Sequence, residues 1–379
     1  MIKTILFDVD GVMLSEERYF DASALTVWEL LHSPLYLGLD SDVFTPSPKE
    51  AEIRRVRELV FANDEVLNFI KSRGINSNWD MVYLAVSYQI IRLCGRLKAD
   101  LGQQVTDLLT GQINRAAIAR LAEWAKTYAP DFTIEYAKFT TDFARGNAQK
   151  AEMLLYLNQI ARERCGIVTN IFSRNSDLWK LCQETFQEWY LGDERVAASI
   201  GRETVQPGKK GFLHDEIPIV SPEEMIQLFR TLKEKGYTIG IGTGRPTIET
   251  HVPLEELKVL EWFDPNRVVT ASHVLEAEEE SPAHAPLSKP HPFSYVKGLL
   301  GLDTPNLDVL SYSLPIPNGD EVLVVGDSPA DLLAARAMGC RFAATLTGLS
   351  GQAARSKFEE AKADYILDDV RDLLSILES

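Results

Sequence analysis

Ile2-Lys3-Thr4-Ile5-Leu6-Phe7-Asp8-Val9-Asp10-Gly11-Val12 decides how this chain is read. Residues 2–7 form a short β-branched and aromatic run with little alternation. Such a run predicts a strand buried on both faces, as in a parallel sheet. It ends on two aspartates separated by one residue, and in an extended chain both would point to one face.

Beyond this strand the pattern changes. Residues 15–214 show helical periodicity, clearest over 22–31, 79–97, 113–128 and 148–162. A further helix is expected over 177–190, capped by Asn175 and closed by Gly192. Strand and helix alternate after residue 214. Helices are predicted over 223–235, 293–300, 329–338 and 370–377, and strands over 237–242, 267–270, 321–326, 341–345 and 364–367. Repeated βα units imply an α/β fold with a doubly wound parallel sheet. Its first strand lies two hundred residues ahead of the others. The simplest organisation is a catalytic core of 1–14 plus 215–379, with an all-helical domain of 15–214 inserted after strand 1. Segment 276–287, acidic and proline-containing, reads as a mobile loop, and 304–319 as a surface excursion.

Composition narrows the function. A chain of 379 residues, 45% apolar and 25% charged, suits a soluble protein of two domains. The net charge of -16 repels nucleic acid and anionic lipid. The partner expected is therefore neither nucleic acid nor membrane, and a phosphate-binding site here needs a local positive focus. Cys94, Cys165, Cys182 and Cys340 are scattered, as expected of reduced, mostly buried thiols in a cytoplasmic protein. There is no signal-peptide layout and no apolar run near the length of a membrane span.

Ligands bind open parallel sheets at the carboxyl ends of the strands. Asp8, Asp10, Thr243 and Asp327 follow predicted strands, Asp331 comes one helical turn after Asp327, and Lys289 precedes a helix. Asp8, Asp10 and Asp327 would repel one another unless a cation neutralised them. An all-oxygen ligand set favours Mg²⁺.

Taken in order, Asp8-Val9-Asp10-Gly11-Val12, Thr243-Gly244-Arg245, Lys289-Pro290 and Gly326-Asp327-Ser328-Pro329-Ala330-Asp331 resemble the four motifs of the haloacid dehalogenase superfamily. The resemblance implies a Rossmann-like core, with the insert as an enlarged type 1 cap. It implies a phosphatase acting on a small phosphorylated metabolite. Asp8 would be the nucleophile that forms an aspartyl phosphate, and Asp10 the general acid and base. Thr243, Gly244, Arg245 and Lys289 would bind the phosphoryl group. Asp8, Asp10 (through its carbonyl) and Asp327 would hold Mg²⁺. Asp331 would either assist the metal through water or orient Lys289. The carboxylate of Asp10 favours phosphate transfer over the dehalogenase and phosphonate-cleaving branches. A phosphosugar mutase of the β-phosphoglucomutase type and a non-catalytic binding protein are the alternatives. The oligomeric state is left open.

The family's caps supply substrate contacts. Candidates in this chain are Arg18, Tyr19, His291 and segment 206–212, where Lys209 and Lys210 form either a basic substrate loop or a solvated hinge. Trp28, Trp79, Trp124, Trp179 and Trp189 read as core of the insert.

Overall fold

A computed structural model describes residues 1–377, so residues 378 and 379 of the expected core lie outside the described residues. Internal contacts divide the chain into two compact units. One joins residues 1–17 to those from 213 onward, and the other is Arg18–Phe212.

The first unit is built on six parallel strands: β1 (Thr4–Phe7), β2 (Thr238–Gly242), β3 (Val268–Val269), β4 (Val322–Gly326), β5 (Arg341–Thr345) and β6 (Tyr365–Leu367). Their order is β3-β2-β1-β4-β5-β6. Strand β1 is central because Ile5, Leu6 and Phe7 are apolar and buried on both faces of the sheet. Ile5 and Phe7 enter one core with Met225, Phe229 and Leu232 of the helix Pro222–Glu234. Leu6 enters the opposite core with Val296 of the helix Phe293–Leu300 and Leu332 of the helix Pro329–Met338. In β4, Leu323 and Val325 face the first core, and Val322 and Val324 the second. Alternate residues of a strand point to opposite faces, so a run that is apolar throughout requires helices on both sides.

Register then sets the site. Phe7 lies opposite Ile241 of β2 and Val325 of β4, and the Asp8 N–H bonds to the Val325 carbonyl at 2.9 Å. Strand order reverses at β1, which opens the crevice where open α/β sheets bind ligands. Asp8, Thr243 and Asp327 follow β1, β2 and β4 at that edge.

The second unit is helical, with no strand among its described residues. Its central helix, Asn78–Leu97, buries residues on every side, including Tyr83, Leu84, Tyr88 and Ile91. It packs against the helices Glu152–Cys165 and Asp177–Leu191. Side chains of Ser77, Asn114 and Ser176 cap the helices that follow them, each accepting the N–H three residues on.

Several expectations change. Segment 276–287 is not a loop at its start: the helix Ala271–Glu280 runs through it, anchored by buried Val274 and Ala277, and a short 3₁₀ turn, Pro282–His284, follows. Its run of glutamates is the solvated face of that helix. A helix, Asn306–Leu310, lies inside the 304–319 excursion. The cap of Asp177–Leu191 is Ser176, whose Oγ accepts the Trp179 N–H at 3.3 Å, while Asn175 takes a left-handed φ of 66°. The helix Thr247–Glu256 contains Pro253 and was not anticipated. Trp28, Trp179 and Trp189 are buried, whereas Trp79 and Trp124 are half-buried. All four cysteines are free and buried. No helix of the described residues is long and apolar enough to cross a membrane.

Candidate active site

The turn after β1 is tight. The carbonyl of Val9 accepts the N–H groups of Val12, Met13 and Leu14, and the Gly11 N–H bonds to the Leu14 carbonyl. This turn exposes the carboxyl edge of the sheet to two aspartates. Asp8 is buried, and its Oδ1 accepts the Val9 N–H at 2.7 Å. Lys289 Nζ lies 2.9 Å from the same oxygen and 2.8 Å from Asp331 Oδ1. These are charge contacts rather than well-aligned hydrogen bonds. The ammonium also sits 4.8 Å from the centre of the Tyr295 ring.

Asp331 is fully engaged. Its Oδ1 also accepts the Tyr295 hydroxyl at 2.7 Å, and its Oδ2 accepts the Ser328 hydroxyl at 2.6 Å. Burial alone would raise its pKa, but the charge and contacts of Lys289, with Ser328 and Tyr295, outweigh burial and hold it below the usual carboxylate value. Burial would lower the pKa of Lys289, yet Asp331 and Asp8 together hold it above the ordinary lysine value. For Asp8, burial dominates. Lys289 opposes it, Asp331 and Asp10 add to it, and the result is a carboxyl pushed up to about 7.

Asp327 differs from both. No hydrogen bond or ion pair to it is found among the described residues. Burial, with the charges of Glu16, Asp331, Asp8 and Asp10, raises its pKa well above the usual value. Glycines make its space: a Cβ added at Gly11 or Gly348 would lie 2.3 or 2.0 Å from Asp327 Oδ2. Asp8, Asp327 and Asp331 can each bring a carboxylate oxygen within 4.8 Å of the others. That acidic cluster can bind a metal. The donor set fits a hard cation, because Asp327 is a half-buried carboxylate with neither partner nor neutralising lysine among the described residues.

Thr243 is buried, and its Oγ1 accepts the Arg245 N–H at 3.2 Å, leaving its proton to donate. Gly244 is exposed at the same turn. Arg245, read from the sequence as a phosphate-binding residue, is placed otherwise. It is 1% exposed, and its guanidinium meets Asp10 Oδ1 through Nε at 2.8 Å and Nη2 at 2.7 Å. Its Nη1 donates to Glu216 Oε1 at 2.6 Å. Glu216 and Tyr295 carried no signal in the sequence, because neither stands in a motif.

The other candidate substrate contacts are also occupied. Arg18 is buried against Asp21 and lies 3.2 Å from Glu50, and Tyr19 stacks on Tyr190 at 4.6 Å. Lys209 is neither a basic surface loop nor a solvated hinge. It is enclosed between Glu29 and Glu188, and Lys210 alone is exposed. His291 is half-buried, and its Nδ1 accepts the Phe293 N–H at 3.2 Å.

Comparison with known proteins agrees with this architecture. A profile described as HAD-hydrolase-like matches residues 286–373. The crystal structure of a Northeast Structural Genomics Consortium target is 36% identical, with a TM-score of 0.86, covering 100% of this chain and 98% of that one. Pyrophosphatase PpaX of Bacillus cereus (strain G9842) is 32% identical over 168 residues, which are 44% of this chain and 63% of that protein. The same enzyme of Bacillus thuringiensis (strain Al Hakam) is 32% identical over 166 residues, 43% of this chain and 62% of the relative. The chain thus spans less than two thirds of these relatives' length. With six parallel strands in this order and the profile matched across its last strands, the chain belongs to the haloacid dehalogenase superfamily.

Proposed function

We propose that the protein is a cytoplasmic, Mg²⁺-dependent phosphatase that hydrolyses a small phosphorylated metabolite through an aspartyl phosphate on Asp8. One observation carries this reading: Asp8 stands at the carboxyl edge of the sheet between Lys289, at 2.9 Å, and the uncompensated Asp327. Both contacts to Asp8 fall on Oδ1, which leaves Oδ2 to attack phosphorus. A carboxylate nucleophile divides one difficult displacement into two easier ones. Asp10 gives a proton to the leaving oxygen and later takes one from water. The Thr243 hydroxyl donates to a phosphoryl oxygen, and Lys289 balances charge on Asp8 and on the transferred group. Asp8, the Asp10 carbonyl and Asp327 would hold Mg²⁺, which supplies charge neutralisation for the phosphoryl oxygens. Asp331 serves by holding Lys289, since its own oxygens are already taken.

The test is a rapid-quench assay with p-nitrophenyl phosphate labelled at phosphorus, followed by mass spectrometry of the peptide containing Asp8. Label on Asp8 is expected; label on another residue would overturn the assignment. EDTA should abolish turnover and Mg²⁺ restore it. A screen of phosphorylated metabolites, with inorganic pyrophosphate included because of the similar Bacillus enzymes, should identify the substrate.

A further inference from the structure

We infer that Arg245 is a positioning residue that aims the carboxylate of Asp10, and that Glu216 in turn fixes Arg245. The inference rests on the phosphatase reading and adds residues for which that reading has no role.

Arg245 Nε donates to Asp10 Oδ1 at 2.8 Å, and Nη2 lies 2.7 Å from the same oxygen as a charge contact. One hydrogen bond and one charge contact from a planar guanidinium onto the same oxygen hold Oδ1 in place and so restrict rotation of that carboxylate, more than a single ammonium would. The remaining oxygen, Oδ2, lies outside the contact. The Asp10 side chain is 25% exposed and that of Arg245 only 1%, so the pair is buried on the arginine side and open on the aspartate side. Arg245 is itself held from several directions. Its Nη1 donates to Glu216 Oε1 at 2.6 Å and to the Glu249 carbonyl at 3.3 Å. Its N–H donates to Thr243 Oγ1 at 3.2 Å, and its carbonyl accepts the Ala271 N–H at 2.8 Å. A guanidinium buried to this degree costs stability unless paired. Here one positive charge faces two carboxylates, only one of which is placed to do chemistry.

A general acid must present its oxygen to the leaving group within a narrow geometry, and small misplacements are costly. Losing the fork should therefore matter most where the leaving group needs a proton. Arg245→Lys keeps the charge and loses the two-point contact. Its kcat/KM should fall at least tenfold more for an alkyl phosphate than for p-nitrophenyl phosphate, whose leaving group departs without help. Glu216→Gln should shift the same ratio in the same direction by a smaller factor. It supplies the answer if Arg245→Lys does not fold, because it leaves the fork in place. In an Asp10→Asn background, Arg245→Lys should produce no further change in the ratio. An arginine that merely supported the fold would lower both substrates alike. If Asp8→Asn lacks activity while both Arg245→Lys and Glu216→Gln keep the wild-type ratio, the role of Arg245 is refuted and the phosphatase reading stands. If Asp8→Asn retains full turnover, the phosphatase reading falls and this inference with it.

Discussion

Each of the two units holds a lysine between two carboxylates and against an aromatic ring. In the sheet unit, Lys289 lies 2.9 Å from Asp8, 2.8 Å from Asp331 and 4.8 Å from the Tyr295 ring centre. In the helical unit, Lys209 lies 2.9 Å from Glu29, 2.6 Å from Glu188 and 5.3 Å from the Trp189 ring centre. Their surroundings separate them. Lys209 and both its partners are fully enclosed, and the second oxygen of Glu188 meets Arg202 at 2.7 Å. Lys289 and Asp8 keep 13% and 10% exposure, and Asp327 beside them has no cationic side chain paired with it among the described residues. A buried lysine with two acids therefore does not mark a site. Residual negative charge with an opening to solvent does, because such a cluster still has something to bind.

The largest test of that distinction is Asp8→Asn. Turnover of p-nitrophenyl phosphate should fall to background, while the melting temperature stays within a few degrees of wild type. Measurable turnover by the purified variant would place the chemistry elsewhere.

The two lysines should separate in stability. Lys209→Met leaves Glu29 and Glu188 without their shared cation, and breaking such a buried pair costs about 3–5 kcal/mol. Lys289→Met should cost less than half of that, because Asp8 keeps 10% exposure and water can reach its charge, whereas Glu29 and Glu188 are fully enclosed. It should nevertheless abolish activity. Chemical denaturation of both variants decides this; equal losses would erase the contrast.

Gly348→Ala probes the uncompensated carboxylate. A Cβ 2.0 Å from Asp327 Oδ2 forces that side chain to turn. The Mg²⁺ concentration for half-maximal activity should rise about 10- to 100-fold, the range for disturbing groups that orient metal ligands. A metal titration with an unchanged midpoint would remove Asp327 from the ligand set.

The smallest effect concerns pH. Burial, partly offset by Lys209, raises Glu29 from 4.5 to about 7. A carboxyl with a folded pKa above its unfolded one contributes stability that is fully present below pH 4.5 and is lost as pH rises through about 7. The change is on the order of 3 kcal/mol. Glu29→Gln cannot ionise and should escape this loss, so its stability relative to wild type should improve between pH 5 and pH 8. Parallel stability curves over that range would show that Glu29 does not titrate there.

The sequence by itself determined the sheet. Runs such as Ile5-Leu6-Phe7 and Val322-Leu323-Val324-Val325 are apolar and buried at every position, and such short runs are buried only between two helical layers. It also placed Asp8, Thr243 and Asp327 after β1, β2 and β4, because a strand's end can be read from where its apolar run stops. Helices with mixed faces were harder. The glutamates of Ala271–Glu280 resembled a loop, and Pro253 hid Thr247–Glu256. Only tertiary structure decided which charge meets which. Arg245 stands two residues from Thr243 in the chain but reaches across 235 residues to Asp10, and Lys209 reaches 180 residues to Glu29. Hydrophobic periodicity is a local property, written within a few residues. An ion pair depends on where two backbones come to lie, and the local pattern of neither partner carries that information.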